Sequence, residues 1–395
     1  MKCILRHILF ITSTVVIALM HVSCSNEANM EADMTVTRNK VMLVLNTEII
    51  GESRTTSDEL LDYEKMHTLR IVILHSDGTE NTVEHNLLVD FKRTTRESYT
   101  RILEVKPNEK KTIYLIANEK SVEKLANGTL DKYNEGSKLF KEEVDNLAFT
   151  ANTLDGKKPI PMSSVYEVDL TASGEKCKEY QFYLVRAATK FTFCFTNNRM
   201  EEVTINSISV SDIANKMFLI PHKKSPTMIF DDSKLFWINW LKEIADESQQ
   251  HPDNQNLAEK RGWIMDYNIP NDVTSEEVTI SPPEDVTIPA LTYDASIPKS
   301  GEAIFPPFYL PESKNLKDNQ NQDGEQKYTM TIQLTDANKK MYTFKRDFDN
   351  LKALFRNTHV LVNVTLRGKT DISVDVRPYS EVILQPEFGL DDNKK

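Results

Sequence analysis

The residue pattern predicts a mainly β protein made of two antiparallel β-sandwich domains with a few short helices. Short β-branched and aliphatic runs recur between turn formers along most of the chain. The length of 395 residues exceeds the size at which a single core usually stops growing, which favours two domains. No repeat with a period of about 20–50 residues is visible, which sets aside solenoids and propellers.

At the N-terminus, Lys2, Arg6 and His7 precede an apolar run from Ile8 to Met20, followed by His21, Val22, Ser23 and Cys24. A run of about 13 residues is shorter than the roughly 20 that a bilayer-spanning helix needs. Residues 1–23 therefore read as a signal peptide, with lipidation at Cys24. His21 stands where bacterial lipoprotein signals usually carry leucine, so a plain secretory signal with an incidental cysteine is the alternative. No second long apolar segment follows, and the expectation is an exported chain that is soluble apart from its lipid. Residues 24–40 are polar and aperiodic, as suits a flexible tether.

The first domain is expected over 41–180. Its strands read as Val41 to Leu45, Thr68 to Leu74, Leu87 to Lys92, Ile102 to Val105 and Thr112 to Ala117, with turns at Ser76-Asp77-Gly78 and Pro107-Asn108. Between Ser121 and Leu147 the apolar residues fall at roughly helical spacing among many charges, which predicts one or two short helices. The second domain, 181–395, belongs to a β-rich half opening with Tyr180 to Thr196, where Phe191, Phe193 and Phe195 alternate with Thr192, Cys194 and Thr196 as on a strand with one buried face. An insert at about 231–270 holds Trp237, Trp240 and Trp263, with helical spacing from Leu235 to Ile244. Later strands read as Tyr328 to Leu334, Met341 to Arg346, His359 to Leu366 and Ile372 to Val376.

Net charge is −11, which makes nucleic acid an improbable partner. Beyond Cys3 and Cys24 only Cys177 and Cys194 remain. In an exported protein they could pair as a disulfide, or stay as two buried thiols. Catalytic and cofactor motifs are missing: there is no His-Glu-x-x-His, Gly-x-Ser-x-Gly, phosphate-binding glycine loop or Cys-x-x-Cys. No catalytic residue, cofactor or metal ligand is assigned. The segment from Asn319 to Gly324 has calcium-loop spacing but meets Met330 where a bidentate glutamate belongs, so it reads as a turn. Asp231-Asp232 reads as a turn or helix cap.

One segment suggests a mechanism. The strand Val41 to Thr47 leads through a polar run to Arg54-Thr55-Thr56-Ser57-Asp58, an accessible site for a trypsin-like protease. Losing that strand from a sheet would uncover a groove lined by the pockets of Val41, Leu43 and Leu45, and a strand from another molecule could refill it.

In this respect the chain resembles the fimbrillins that build type V pili, of the fimbrillin A kind. The resemblance rests on Cys24, the Val41 strand leading to Arg54, Leu69 to Leu74, Thr112 to Glu119, and Leu184 to Phe193. It continues in Phe308-Tyr309-Leu310-Pro311-Glu312, Arg356 to Leu366 and the tail Val374 to Gly389. It implies export as a lipoprotein to the outer membrane and two transthyretin-like (Greek-key) sandwiches. An arginine-specific protease would cut between Arg54 and Thr55 and release 41–54. Assembly with other fimbrial subunits into an adhesive surface fimbria would follow by strand exchange. The donor strand would lie between Tyr379 and Phe388, centred on Val382, Ile383 and Leu384; the alternative for that segment is an ordinary edge strand bracketed by Pro378 and Pro386. From a different functional class, the three tryptophans could form the sugar platform of a monomeric glycan-binding surface lipoprotein.

Overall fold

The computed structural model describes residues 40–378. It excludes the stretches 50–59, 77–80, 151–153, 155–156, 172–175, 221–229, 232–233, 236–269, 271–273, 281–285, 294–297, 315–327, 349–352 and 368–370, and residues 93, 139, 300, 306 and 355. The described residues form a mainly β protein of β-sandwich type. Its first strands are β1 (Val41–Ile49), β2 (Thr68–Ser76), β3 (Asn81–Asp90), β4 (Ser98–Val105), β5 (Lys110–Ala117), β6 (Ala148–Thr150), β7 (Met162–Asp169) and β8 (Cys177–Arg186). Seven of these make one sheet in the order β3-β2-β5-β7-β8-β1-β4.

That sheet folds over on itself at the β7–β8 step, where pairing survives only at Met162–Arg186 and Ser163–Val185. Alternate side chains of the two arms then meet: Leu43 and Leu45 of β1 and Phe182 and Leu184 of β8 share one core with Ile71, Ile73, Ile113 and Leu115 of β2 and β5. Beyond the split, the Tyr166 hydroxyl replaces the lost ladder by donating to the Tyr183 carbonyl (2.5 Å) and accepting from the Tyr183 amide (2.9 Å). Burial pushes the Tyr166 phenol well above its ordinary pKa, so it remains a neutral donor. We expect Tyr166→Phe to lower stability by about 1–3 kcal/mol, because two backbone groups lose their partner. Urea unfolding measures this, and an unchanged midpoint would contradict the assignment.

β2 and β5 read as nearly unbroken apolar runs because both of their faces are covered. Val72, Leu74, Tyr114 and Ile116 point away from the first core into a second one. The segment predicted as one or two helices supplies much of that cover. It is made of single 3-10 turns at Glu119–Ser121, Glu123–Leu125 and Thr129–Lys132, followed by one short helix, α1 (Phe140–Asp145). Gly128 (φ +71°) and Gly136 (φ +85°) interrupt any longer helix with left-handed backbone. Arg70, fully buried on β2, locks the cover down: it bonds both Glu119 oxygens (2.5 and 2.7 Å), Asp131 (2.5 Å) and Asn86 (2.6 Å). Burial opposes its charge, but Glu119 and Asp131 outweigh burial and raise its pKa further.

The second set comprises β9 (Thr189–Asn197), β10 (Val203–Ala214), β11 (Lys216–Phe218), β12 (Phe230–Asp231), β13 (Lys234–Leu235), β14 (Ser275–Ile280), β15 (Val286–Ile288), β16 (Thr292–Tyr293), β17 (Pro298–Lys299), β18 (Gly301–Ile304) and β19 (Phe308–Leu310). It continues with β20 (Ser313–Lys314), β21 (Thr329–Asp336), β22 (Met341–Asp347), β23 (Ala353–Leu354), β24 (Thr358–Arg367) and β25 (Asp371–Pro378). One sheet runs β14-β10-β21-β22 with β15 also on β10, and the other β18-β9-β24-β25 with β19 also on β9. Phe191, Phe193 and Phe195 face Ile205, Ile208, Ile332 and Leu334 in a single core. Phe308 stacks on both Phe191 and Phe193, each at 5.4 Å between centroids. Ile205 and Ile208, an odd spacing for one strand face, both reach the core because a bulge shifts the β10 register between Ile205 and Ser207.

Two expectations are refined here. Tyr180 to Thr196 is two strands rather than one: β8 ends at Arg186, and Ala187 and Ala188 turn the chain into β9. Residues 181–186, which the pattern assigned to the second half, belong to the first sheet: Gln181 to Leu184 lie beside β1, and Val185 and Arg186 pair with β7. Met330, noted for failing as a calcium ligand, is a fully buried core residue of β21.

Candidate functional site

The alternation read at Val41, Leu43 and Leu45 continues to Thr47 and Ile49, and the burial pattern of β1 follows it over the whole strand. Leu43 and Leu45 are 0% exposed and Thr47 only 2%. β1 is an interior strand. It pairs antiparallel with β4, Val41 opposite Val105 through Glu48 opposite Ser98, and parallel with β8, Met42 beside Cys177 through Ile49 beside Leu184. Its outer face contributes less. Asn46 donates to Glu179 (2.6 Å) and accepts from Thr100 (2.8 Å), and Lys40 meets Glu104 at 3.0 Å, all at the surface, where such contacts are worth little.

The wall formed by β4 has supports that do not involve β1. The Lys106 amide donates to Glu84 (2.6 Å), and the His85 ring meets the Glu104 carbonyl at 2.7 Å. Glu84 is itself held by the buried ammonium of Lys111, which also contacts Glu109. At the far end Met66 and Arg96 exchange backbone bonds of 2.9 and 3.0 Å, and Phe91 and Tyr99 pack edge to face at 5.3 Å. The end of β1 reaches the same place, since the Ile49 amide donates to the Glu97 carbonyl (2.8 Å), next to the Arg96 that Met66 holds.

Just past that link the chain is tied to the β9 side of the molecule. Buried Glu64 accepts from the Tyr309 hydroxyl (2.6 Å) and pairs with Lys190 (3.2 Å), and its carbonyl accepts from Arg186 (3.3 Å). Burial, then the Glu64 charge, pushes the Tyr309 phenol far above its ordinary pKa. Nearby, buried Arg356 grips Glu312 (2.8 and 2.9 Å) and donates to the carbonyls of Leu219 (2.9 Å) and Phe218 (2.8 Å). Asn357, at φ +57°, donates its amide to the Ala188 carbonyl (2.7 Å). Three of the short motifs behind the family resemblance, those at Leu184, Phe308 and Arg356, therefore converge on one junction.

Sequence reasoning named the inward residues only as far as Leu45. Ile49 was the available signal, since it keeps the period of two across the polar Thr47. Glu64 carried no such signal, because Tyr309 lies far along the chain. Cys177 opens β8 and Cys194 lies in β9, and both are thiols rather than a disulfide. Cys24, Arg54, Thr55, the tryptophans Trp237, Trp240 and Trp263, the turn from Asn319 to Gly324 and the donor residues Val382, Ile383 and Leu384 lie outside the described residues. Among the described residues no cluster of three or more His, Cys, Asp or Glu could hold a metal ion, and no helix is long and apolar enough to cross a membrane.

No family model matches the chain, and no curated protein matches it. Among solved structures it is similar to the tip fimbrial protein Mfa3 of Porphyromonas gingivalis, with C-terminal truncation. The TM-score is 0.45 at 11% identity, covering 86% of this chain and 100% of the other. The fimbrilin FimA of the same organism gives 0.45 at 13% identity, covering 86% of this chain and 98% of the other. Its fimbrial anchor protein Mfa2 gives 0.34 at 9% identity, covering 86% and 98%. At TM-scores below 0.5 these are likenesses only.

Proposed function

We propose that this chain is a fimbrillin-type subunit of an adhesive cell-surface fibre. In this reading it is exported as a lipoprotein through Cys24 to the outer membrane. Its two sandwich domains, divided near residue 180, complete each other across neighbouring subunits. An arginine-specific protease cuts between Arg54 and Thr55, β1 leaves, and a strand of the next subunit enters the slot, with the segment around Val382, Ile383 and Leu384 as donor.

The observation that supports this most is the position of β1 between β4 and β8, with its inward side chains buried. Each large apolar side chain is worth about 1.5–3 kcal/mol when buried, so vacating Val41, Leu43 and Leu45 costs on the order of 5–9 kcal/mol. A domain with the usual margin of about 5–15 kcal/mol cannot leave such a slot empty. The departure also strips backbone partners from two strands, which is the feature that strand addition recognises.

Limited trypsin digestion followed by an unheated gel tests the proposal. We expect a ladder of polymers from the native chain and none from Arg54→Ala. A lone monomer band from the native chain before and after digestion would overturn it.

A further inference from the structure

We infer that Thr47 makes β1 a deliberately imperfect occupant of its own slot, which a strand from a second copy fits better when it carries an aliphatic side chain at the same level. This inference rests on the reading of β1 as removable and adds what selects its replacement.

Thr47 is the fourth inward residue of β1 and is almost fully buried. Its Oγ1 finds no hydrogen-bond partner among the described residues. The pairing register explains why. Thr47 lies opposite Tyr99 on β4 and beside Phe182 on β8, and both rings belong to the apolar cluster around Leu43 and Leu45. A hydroxyl taken from water into such surroundings loses its solvent bonds and regains none. Valine has nearly the same shape and β-preference without that loss. Every other inward position of β1 is Val, Leu or Ile, so the defect is confined to one level of the slot.

The handicap operates on exchange rather than on folding alone. While the link at 50–59 is intact, the strand is held at high effective concentration and tolerates the defect. Once the link is cut, that advantage is gone and the two strands compete on fit. An aliphatic side chain at this level then favours the entering strand.

The test uses the full chain in native, Thr47→Val and Thr47→Ser forms. Each is cut with an arginine-specific protease, and release of the β1 fragment is followed by size separation. Release from Thr47→Val is expected to be about 5–30-fold slower than from the native chain. Release from Thr47→Ser, which keeps the hydroxyl and loses a methyl group, is expected to be faster than native. In competition, an unlabelled synthetic peptide of residues 40–50 with valine at 47 should displace its labelled threonine counterpart more effectively than the unlabelled threonine peptide does. Equal or faster release from Thr47→Val would overturn the inference. If complete cutting releases no fragment from any form, the removable-strand reading fails. The urea midpoints of the uncut chains then decide the Thr47 question: a higher midpoint for Thr47→Val supports the defect, and an equal or lower one overturns it.

Discussion

Arg356→Ala is expected to lower stability by about 3–5 kcal/mol, the range found when one partner of a buried ion pair is removed. Glu312, itself buried, would lose the guanidinium that now bonds it, and the Phe218 and Leu219 carbonyls would lose donors. Set against a typical margin of about 5–15 kcal/mol, that loss makes soluble yield fall and the urea midpoint drop sharply. Arg356→Lys restores a positive charge but not the planar fork that reaches a carboxylate and two carbonyls together, so an intermediate midpoint is expected. A native midpoint for Arg356→Ala would mean that the junction is not stabilised by this pair.

Leu45→Ala is the second large effect, about 2–5 kcal/mol in the uncut chain. Leu45 is fully buried between Tyr180 of β8 and the edge strand β4, and truncation leaves a cavity that the ladders on both sides keep from closing. The loss should also disappear on processing. After cleavage and release of β1, the mutant and native proteins are the same molecule, and their stabilities and polymer ladders should coincide. Thermal unfolding before and after protease treatment measures both halves of the expectation. A difference that persists after cleavage would show that the strand had stayed in place.

The sandwich class was legible in the sequence because sandwich strands leave a local trace. Val41, Leu43 and Leu45 alternate, as do Phe191, Phe193 and Phe195, and in both cases the alternate residues are the buried ones. Strand ends were less legible where polar residues sit on a half-covered face. β3 begins at Asn81, several residues before the apolar Leu87, because Glu84 and Asn86 are satisfied by Lys111 and Arg70 rather than by water. The corner at Ala187–Ala188 was invisible because β8 and β9 are each apolar enough to continue the other. What separates them is pairing: β8 lies beside β1, whereas β9 lies beside β24. The short helix predicted between Ser121 and Leu147 is present as α1, but the rest of that segment is single turns, since apolar spacing on a cover segment fixes which residues point down but not that the turns join. The burial that Val122, Leu125 and Leu130 achieve comes from separate turns. Glu64 and Arg356 were beyond sequence reasoning, because a buried charge declares itself only through partners that the fold brings to it.

β4 and β8 run in opposite directions on either side of β1. Any polypeptide lying between them is parallel to one and antiparallel to the other, whichever end goes in first. Main-chain bonding is therefore nearly indifferent to heading, and reversing the guest merely swaps the two kinds of ladder between the walls. The head-to-tail sense of a growing filament must then be written in side chains, in the order of large and small residues along the guest and in what greets its two ends.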